Sequence, residues 1–280
     1  MSRLVAISEV AEVNPGFPKT SNIAPESLVS FLPMAAVSES GEIISQVERP
    51  FGEVSKGYTY FAEGDVLMAK ITPCMENGKA TFVQNLKHPA GFGSTEFHVL
   101  RPGSEIDGKY LFYMIWNPLF RKVAGRNMTG TAGQKRVPSS FLKDFKIPLP
   151  PLPEQKRIAA ILDKADSVRR KRQEAVQLTE ELLRSVFLEM FGDPVTNPKG
   201  WETRAFVEIC ETRLGKMLDA KQQTGEHLRP YLRNSNVQWD RIETSDLELM
   251  DFNEKDRKTF SIQKGDVLIC EGGEVGRAAI

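Results

Sequence analysis

Cysteine is scarce in this chain: Cys74, Cys210 and Cys270 are the only three in 280 residues, and no two form a CxxC pair. An odd, scattered set excludes a disulfide framework and fits a reducing compartment. Long apolar runs are missing as well, since none approaches the ~20 residues that a membrane-spanning helix needs. The opening MSRLVAISEVAEV has no apolar signal-peptide core. A cytoplasmic protein with no membrane partner is therefore expected. There is no charge excess either, because 37 basic residues balance 37 acidic ones. A neutral total neither selects nor excludes a nucleic-acid partner, because local charge decides at a groove.

Motifs of catalysis are equally sparse. The chain has no GxxxxGK(S/T) phosphate loop and no GxSxG elbow. His88, His98 and His227 lack metal-ligand spacing. Asn14-Pro15-Gly16-Phe17 superficially resembles the NPPF-type base-holding loop of adenine methyltransferases. No glycine-rich strand–turn–helix for a methyl donor accompanies it, and NPGF is an ordinary turn sequence. Asp65 with Glu76 and Lys79 has the wrong spacing for a nuclease metal site, and Asp65 reads as a turn residue. No catalytic residue, metal site or cofactor of the chain's own is expected.

What is present is ordinary globular material, 40% hydrophobic and 26% charged, with length for about two domains. Residues 1–150 read as an α+β domain of mixed sheet. Tyr58–Met68 is a strand–turn–strand with its turn at Glu63-Gly64, and Phe92–Leu100 is a further strand. Asp107 should cap a helix over 108–116, and Asn117 a second one that starts at Pro118 and ends at Gly125. Residues 151–192 combine a proline-rich junction with a long helix. Four prolines stand among the six residues 148–153, after which 154–190 hold neither proline nor glycine. Apolar residues in steps of three and four form a seam of Ile158, Ile161, Ala165, Val168, Ala175, Leu182 and Val186. Such a helix, roughly 55 Å long, should project and pack on a partner helix. Gly192 then stops it.

Residues 201–280 return to mixed strand character and contain a repeat. Gly64-Asp65-Val66-Leu67 recurs as Gly265-Asp266-Val267-Leu268, 201 positions later. Gly78-Lys79-Ala80 recurs as Gly276-Arg277-Ala278 at an offset of 198, and Phe31-Leu32 with Val37 as Tyr231-Leu232 with Val237 at 200. One order near one offset argues for a duplicated domain, the second copy incomplete because it has no counterpart of residues 83–150.

Local charge singles out one segment. Arg121, Lys122, Arg126, Lys135 and Arg136 are interleaved with Asn127, Thr129, Thr131 and Gln134, which can hydrogen-bond base edges or phosphates. Gly125, Gly130 and Gly133 let that backbone approach a ligand closely. Lys70 and Thr72, just after the Gly64-Asp65 strand, are expected to join this candidate double-stranded DNA contact. The Arg169-Arg170-Lys171-Arg172 run reads instead as a solvated face or partner contact, because acids flank it.

The segment IPLPPLPEQKRIAAILDKAD, followed by a long helix and FGDP, resembles the central region of type I restriction–modification specificity subunits. Gly133-Gln134-Lys135, Gly64-Asp65-Val66-Leu67, Ser94-Thr95-Glu96-Phe97 and Gly200-Trp201-Glu202 resemble parts of that family's target-recognition domains. The resemblance implies two such domains, each followed by a long helix. The helices pack antiparallel, and each domain reads half of a bipartite DNA sequence. It implies a non-catalytic chain whose modification and restriction subunits carry S-adenosylmethionine, ATP and magnesium. On that pattern the chain ends inside its second domain, and the exposed seam should drive self-association. The alternative is an assembly scaffold that docks methyltransferase subunits without useful DNA reading.

Overall fold

The computed structural model describes residues 3–131, 133–219 and 223–280. The chain divides into two compact units, Met1–Met190 and Phe191–Ile280. The first opens with β1 (Arg3–Ala6), the single turn α1 (Ile7–Val10), β2 (Ala11–Val13), β3 (Leu28–Leu32), β4 (Val47–Pro50) and α2 (Phe51–Val54). It continues through β5 (Thr59–Ala62), β6 (Val66–Ala69), β7 (Ala80–Phe82), β8 (Ala90–Gly93) and β9 (Phe97–Pro102). Helices α3 (Gly108–Trp116), α4 (Pro118–Arg126) and α5 (Ser139–Asp144) follow, then β10 (Lys146–Leu149) and α6 (Leu152–Phe191).

The strands form two four-stranded sheets, in the orders β2-β9-β6-β7 and β4-β3-β8-β5, and a separate β1-β10 pair. Among the described strands, β3 and β8 alone run parallel. The main core lies where β1, β6, β9 and β10 meet α3, α4, α5 and the first turns of α6. Asp107 caps α3 by accepting the Tyr110 N–H at 3.0 Å, and Asn117 caps α4 by accepting that of Leu119 at 2.8 Å. Helix α4 runs one residue past Gly125.

The single strand read over Phe92–Leu100 is in fact two, β8 and β9, in different sheets. The Phe97 N–H donates to the Ser94 carbonyl at 3.1 Å, so residues 94–97 turn the chain from one sheet to the other. A Cβ at Gly93 would stand 2.6 Å from the Leu32 carbonyl oxygen, so the strand must end in glycine there.

Helix α6 has 40 residues, about 60 Å at the usual rise. Its start is fastened by Gln155, which is fully buried. The Gln155 amide oxygen accepts the Asp107 N–H at 2.8 Å, and its nitrogen donates to the carbonyls of Glu105 (3.0 Å) and Pro150 (2.8 Å). That explains the glutamine after the prolines: a buried amide must have its partners, and here it ties three segments together. Ile158, Ala159 and Leu162 pack into the main core. Asp163 accepts the Tyr113 hydroxyl at 2.8 Å and pairs with Lys109, while Arg170 pairs with Asp166 at 2.8 Å and with Glu42. Ile158 therefore belongs to the docked face, not to the seam expected from sequence. With about 3.6 residues per turn, Ile161, Ala165, Val168, Ala175, Leu182 and Val186 share the far side, and all six are exposed.

The second unit comprises α7 (Phe206–Ile209), β11 (Leu228–Tyr231), β12 (Val237–Gln238), β13 (Arg241–Ile242), β14 (Glu248–Asp251), α8 (Glu254–Phe260), β15 (Leu268–Ile269) and β16 (Ala278–Ala279). Its order follows that of residues 7–82. The β3-β4 pairing, Leu28 opposite Pro50, returns as β11-β14 with Leu228 opposite Asp251, and the β6-β7 pairing returns as β15-β16. Individual bonds return too. Asp65 accepts the Ala62 N–H at 2.8 Å, and Asp266 accepts that of Gln263 at 2.8 Å. The glycines before them, Gly64 (φ 84°) and Gly265 (φ 101°), both occupy the left-handed region that this turn requires. Lys79 Nζ donates to the Met34 carbonyl at 3.3 Å, and Arg277 Nη2 to that of Asn234 at 2.7 Å.

Candidate nucleic-acid interface

The basic segment folds as a closed loop. Thr129 and Arg136 exchange backbone hydrogen bonds of 3.0 and 2.8 Å and form its neck. Within it the Gln134 N–H donates to the Thr131 carbonyl at 3.0 Å. Gly130 has φ 125°, and a Cβ there would stand 2.7 Å from the Gln134 carbonyl oxygen, so the tip closes only around glycine. Ala132 lies outside the described residues.

The segment after β6 holds the loop in place. The Lys70 carbonyl accepts the Val137 N–H at 2.8 Å, and the Thr72 N–H donates to the Lys135 carbonyl at 3.0 Å. The Thr72 hydroxyl accepts the Lys135 N–H at 3.2 Å and donates to the Gly133 carbonyl at 3.1 Å. Lys70, Thr72 and the loop are thus one structure, although some 60 residues of sequence separate Thr72 from Gly133. Thr72 acts as a brace here, since its hydroxyl is used on both sides.

Of the expected cations, Lys122, Arg126 and Lys135 are exposed and Lys70 is half-buried. Among the described residues these four form no ion pair. Arg121 and Arg136 differ. Arg121 turns back to donate to the Glu76 carbonyl at 3.0 Å. Arg136 makes a fork with Glu96, Nε at 3.0 Å from Oε2 and Nη2 at 2.7 Å from Oε1, and its Nη1 donates to the Gln134 carbonyl at 3.3 Å. Both already have partners and serve the frame. Asn127 is exposed and donates to the Val123 carbonyl at 2.9 Å, and Thr129, Thr131 and Gln134 are exposed.

Three residues that composition did not reveal complete the site. Glu96, in the β8–β9 turn, pairs with Arg136 and accepts the Lys70 N–H on its carbonyl at 2.8 Å. The Arg136 hydrogen bonds hold the Glu96 carboxyl below the usual carboxylate range. His98 is buried on β9. Its Nε2–H donates to the Val137 carbonyl at 2.8 Å, while Nδ1 accepts from Asn14 Nδ2 at 3.1 Å. Burial pushes the His98 pKa down, with Lys70 adding to the effect. Asn14 (φ 56°) also accepts the Val99 N–H at 3.0 Å. Phe17 packs edge-on to Tyr60 at 5.0 Å, so Asn14–Phe17 is a structural turn. Asp65 is buried and doubly bonded to Arg101 at 2.7 and 2.8 Å, which occupies it as well.

Among the described residues no His, Cys, Asp or Glu group could hold a metal ion, and no helix is long and apolar enough to cross a membrane. Arg169 and Arg170 pair with Asp166 at 2.6 and 2.8 Å, so half of the basic run on α6 is neutralised within the unit.

Comparisons with known proteins agree with this frame. Residues 3–180 match the family model of the type I restriction modification DNA specificity domain. The Escherichia coli type I restriction enzyme EcoEI specificity subunit is 43% identical over 162 residues, which cover 57% of this chain and 27% of that subunit. The EcoAI specificity subunit is 44% identical over 154 residues, 54% of this chain and 26% of that one. The aligned region therefore spans about a quarter of the length of these curated relatives. A solved structure concerned with complex assembly and conformational transition of the type I R-M system shares the fold at TM-score 0.57 and 23% identity, covering 99% of this chain and 71% of that one. The type I S subunit from M. genitalium gives TM-score 0.50 at 14% identity, covering 99% and 67%. With residues 3–180 matched by that family model, and with its mixed-sheet unit, long helix and second unit, the chain belongs to the family of type I restriction–modification DNA specificity domains.

Proposed function

We infer that this chain is a cytoplasmic, non-catalytic specificity subunit that reads double-stranded DNA for a type I restriction–modification complex. The observation that carries the reading is the braced loop between Thr129 and Arg136, beside four cations without ion-pair partners among the described residues. Lys122, Arg126, Lys135 and Lys70 grip phosphates, and Asn127, Thr129, Thr131 and Gln134 face the bases. Modification and restriction subunits supply the chemistry, with S-adenosylmethionine, ATP and magnesium bound to them. In a mobility shift without any partner, alanine at Arg126 or Lys135 should weaken binding to any duplex, and alanine at Gln134 should weaken binding to the cognate half-site. Unchanged binding in all three would leave the scaffold reading, in which α6 only docks methyltransferase subunits.

Self-association has its own support. The far side of α6 leaves Val168 61% and Leu182 62% exposed. Lys171 and Arg172, which form no ion pair among the described residues, precede the acids Glu180 and Glu181. Two copies paired antiparallel set basic against acidic halves, whereas a parallel pair sets like charges together. Sedimentation at tens of micromolar should show a dimer that Leu182→Glu abolishes. A wild-type monomer would refute the pairing.

A further inference from the structure

Arg136 stands in the middle of the proposed contact yet spends its guanidinium on Glu96. Arginine forks fit phosphate as well as they fit carboxylate, so a neighbour decides which of the two it grips. Glu96 is well placed to decide. It sits on a tight turn whose Ser94 hydroxyl accepts the Glu96 N–H at 3.2 Å, and its carbonyl is bonded to Lys70. Its side chain keeps only 25% of its exposure. The carboxylate therefore cannot swing far, and the arginine comes to it.

We propose that Glu96 is a specificity-determining positioning residue, which holds Arg136 off the phosphates and fixes the neck of the DNA-reading loop. The inference rests on the DNA-binding reading above. A phosphate contact adds affinity for every sequence alike, whereas specificity comes from base contacts made in one register. Pairing Arg136 with Glu96 removes one indiscriminate contact. It also locks the Thr129–Arg136 neck, from which Thr131 and Gln134 project. The fork thus lowers binding to the wrong DNA and fixes the geometry for the right one.

The test uses the full chain and a duplex DNA pool of randomised sequence, with affinity measured across salt concentrations. Wild type should give a slope of log K against log salt of about −3 to −4. Wild-type binding that ignores salt would defeat the DNA-binding reading itself. Given the wild-type slope, Glu96→Gln should steepen it by about 1 and tighten pool binding about fivefold near 0.15 M salt. Rounds of selection from the pool should then yield a less defined sequence than wild type does. The double variant Glu96→Gln with Arg136→Gln should return to the wild-type slope, and Arg136→Gln alone should leave it unchanged. A merely structural brace would lower affinity and melting temperature together with no change of slope. That result overturns the proposal, as would an Arg136→Gln slope shallower by about 1, because Arg136 would then already lie on phosphate.

Discussion

Residues 7–82 and the described residues of 206–280 share two strand pairings in different surroundings. Val66 and Met68 on β6 are 0% and 3% exposed, while their counterparts Val267, just before β15, and Ile269, on β15, are 59% and 56% exposed. The difference lies in what covers the strand. In the first copy β9 pairs along β6, and α3 packs over the core that they share. Residues 206–280 contain no counterpart of those elements. Frame bonds do not depend on that cover: the Asp–backbone bond of the turn and the cation donated to a carbonyl recur in both copies. Local hydrogen bonds set the chain path, and longer-range burial sets how firmly that path is held.

The copies also differ where they would meet a ligand. Between Ala69 and Lys79 the first copy carries Lys70-Ile71-Thr72 and a longer excursion; between Cys270 and Arg277 the second has Glu271-Gly272-Gly273-Glu274-Val275-Gly276. The shorter loop is acidic and offers neither a brace like Thr72 nor a lysine at its start. Near β3 the first copy packs Phe17 against Phe51, Tyr60 and Phe92. The second instead lets Asp251 accept backbone N–H groups of Thr224, Gly225 and His227, the Gly225 bond leading in holding its carboxyl below the usual range. A shared frame with different loops is what reading two different DNA half-sites would require.

Paired substitutions sharpen the contrast. Met68→Ala should destabilise the first unit by about 2–5 kcal/mol, as cavities in cores do, while Ile269→Ala should change stability by under about 0.5 kcal/mol. Urea denaturation followed by circular dichroism checks both, and equal losses would break the comparison. Asp65→Ala leaves the half-exposed Arg101 without its buried partner and should cost about 2–3 kcal/mol, whereas Asp266→Ala removes one exposed bond, worth about 0.5 kcal/mol. Lys79→Ala and Arg277→Ala should each cost about 1 kcal/mol. Lys79→Ala should leave the salt slope of DNA binding unaltered, because a cation placed alike in both copies belongs to the frame.

The smallest effect is a pH dependence that belongs to the first copy alone. The fold favours neutral His98, so the unfolded chain takes up a proton more readily. Stability should be full above the ordinary histidine pKa of about 6.5 and decline as pH falls below it, levelling off below the folded-state value. Melting temperatures of His98→Gln against wild type between pH 7 and pH 5 should converge toward the acid end. Parallel curves would contradict the assignment.

Caps and periods were legible in sequence. Asp107 and Asn117 start α3 and α4 as their side chains allow, and the proline-free run is one helix. The repeat was legible because glycines with positive φ cannot be exchanged cheaply. The break at Ser94–Glu96 was not, because no proline stands between Phe92 and Leu100 to mark the end of a strand. Nor was the fate of Arg121 and Arg136, since composition counts a cation without showing that a carboxylate or carbonyl forty-odd residues away has taken it. Ile158 fitted the seam by spacing, yet it lies at the edge where the domain-facing side of α6 begins.

On the proposed function, four cations around a braced loop carry DNA binding. The most direct test is the salt slope of the variant with Lys122, Arg126 and Lys135 all changed to alanine. Wild type should give about −3 to −4 and the triple variant about −1; equal slopes would place the DNA elsewhere on the protein.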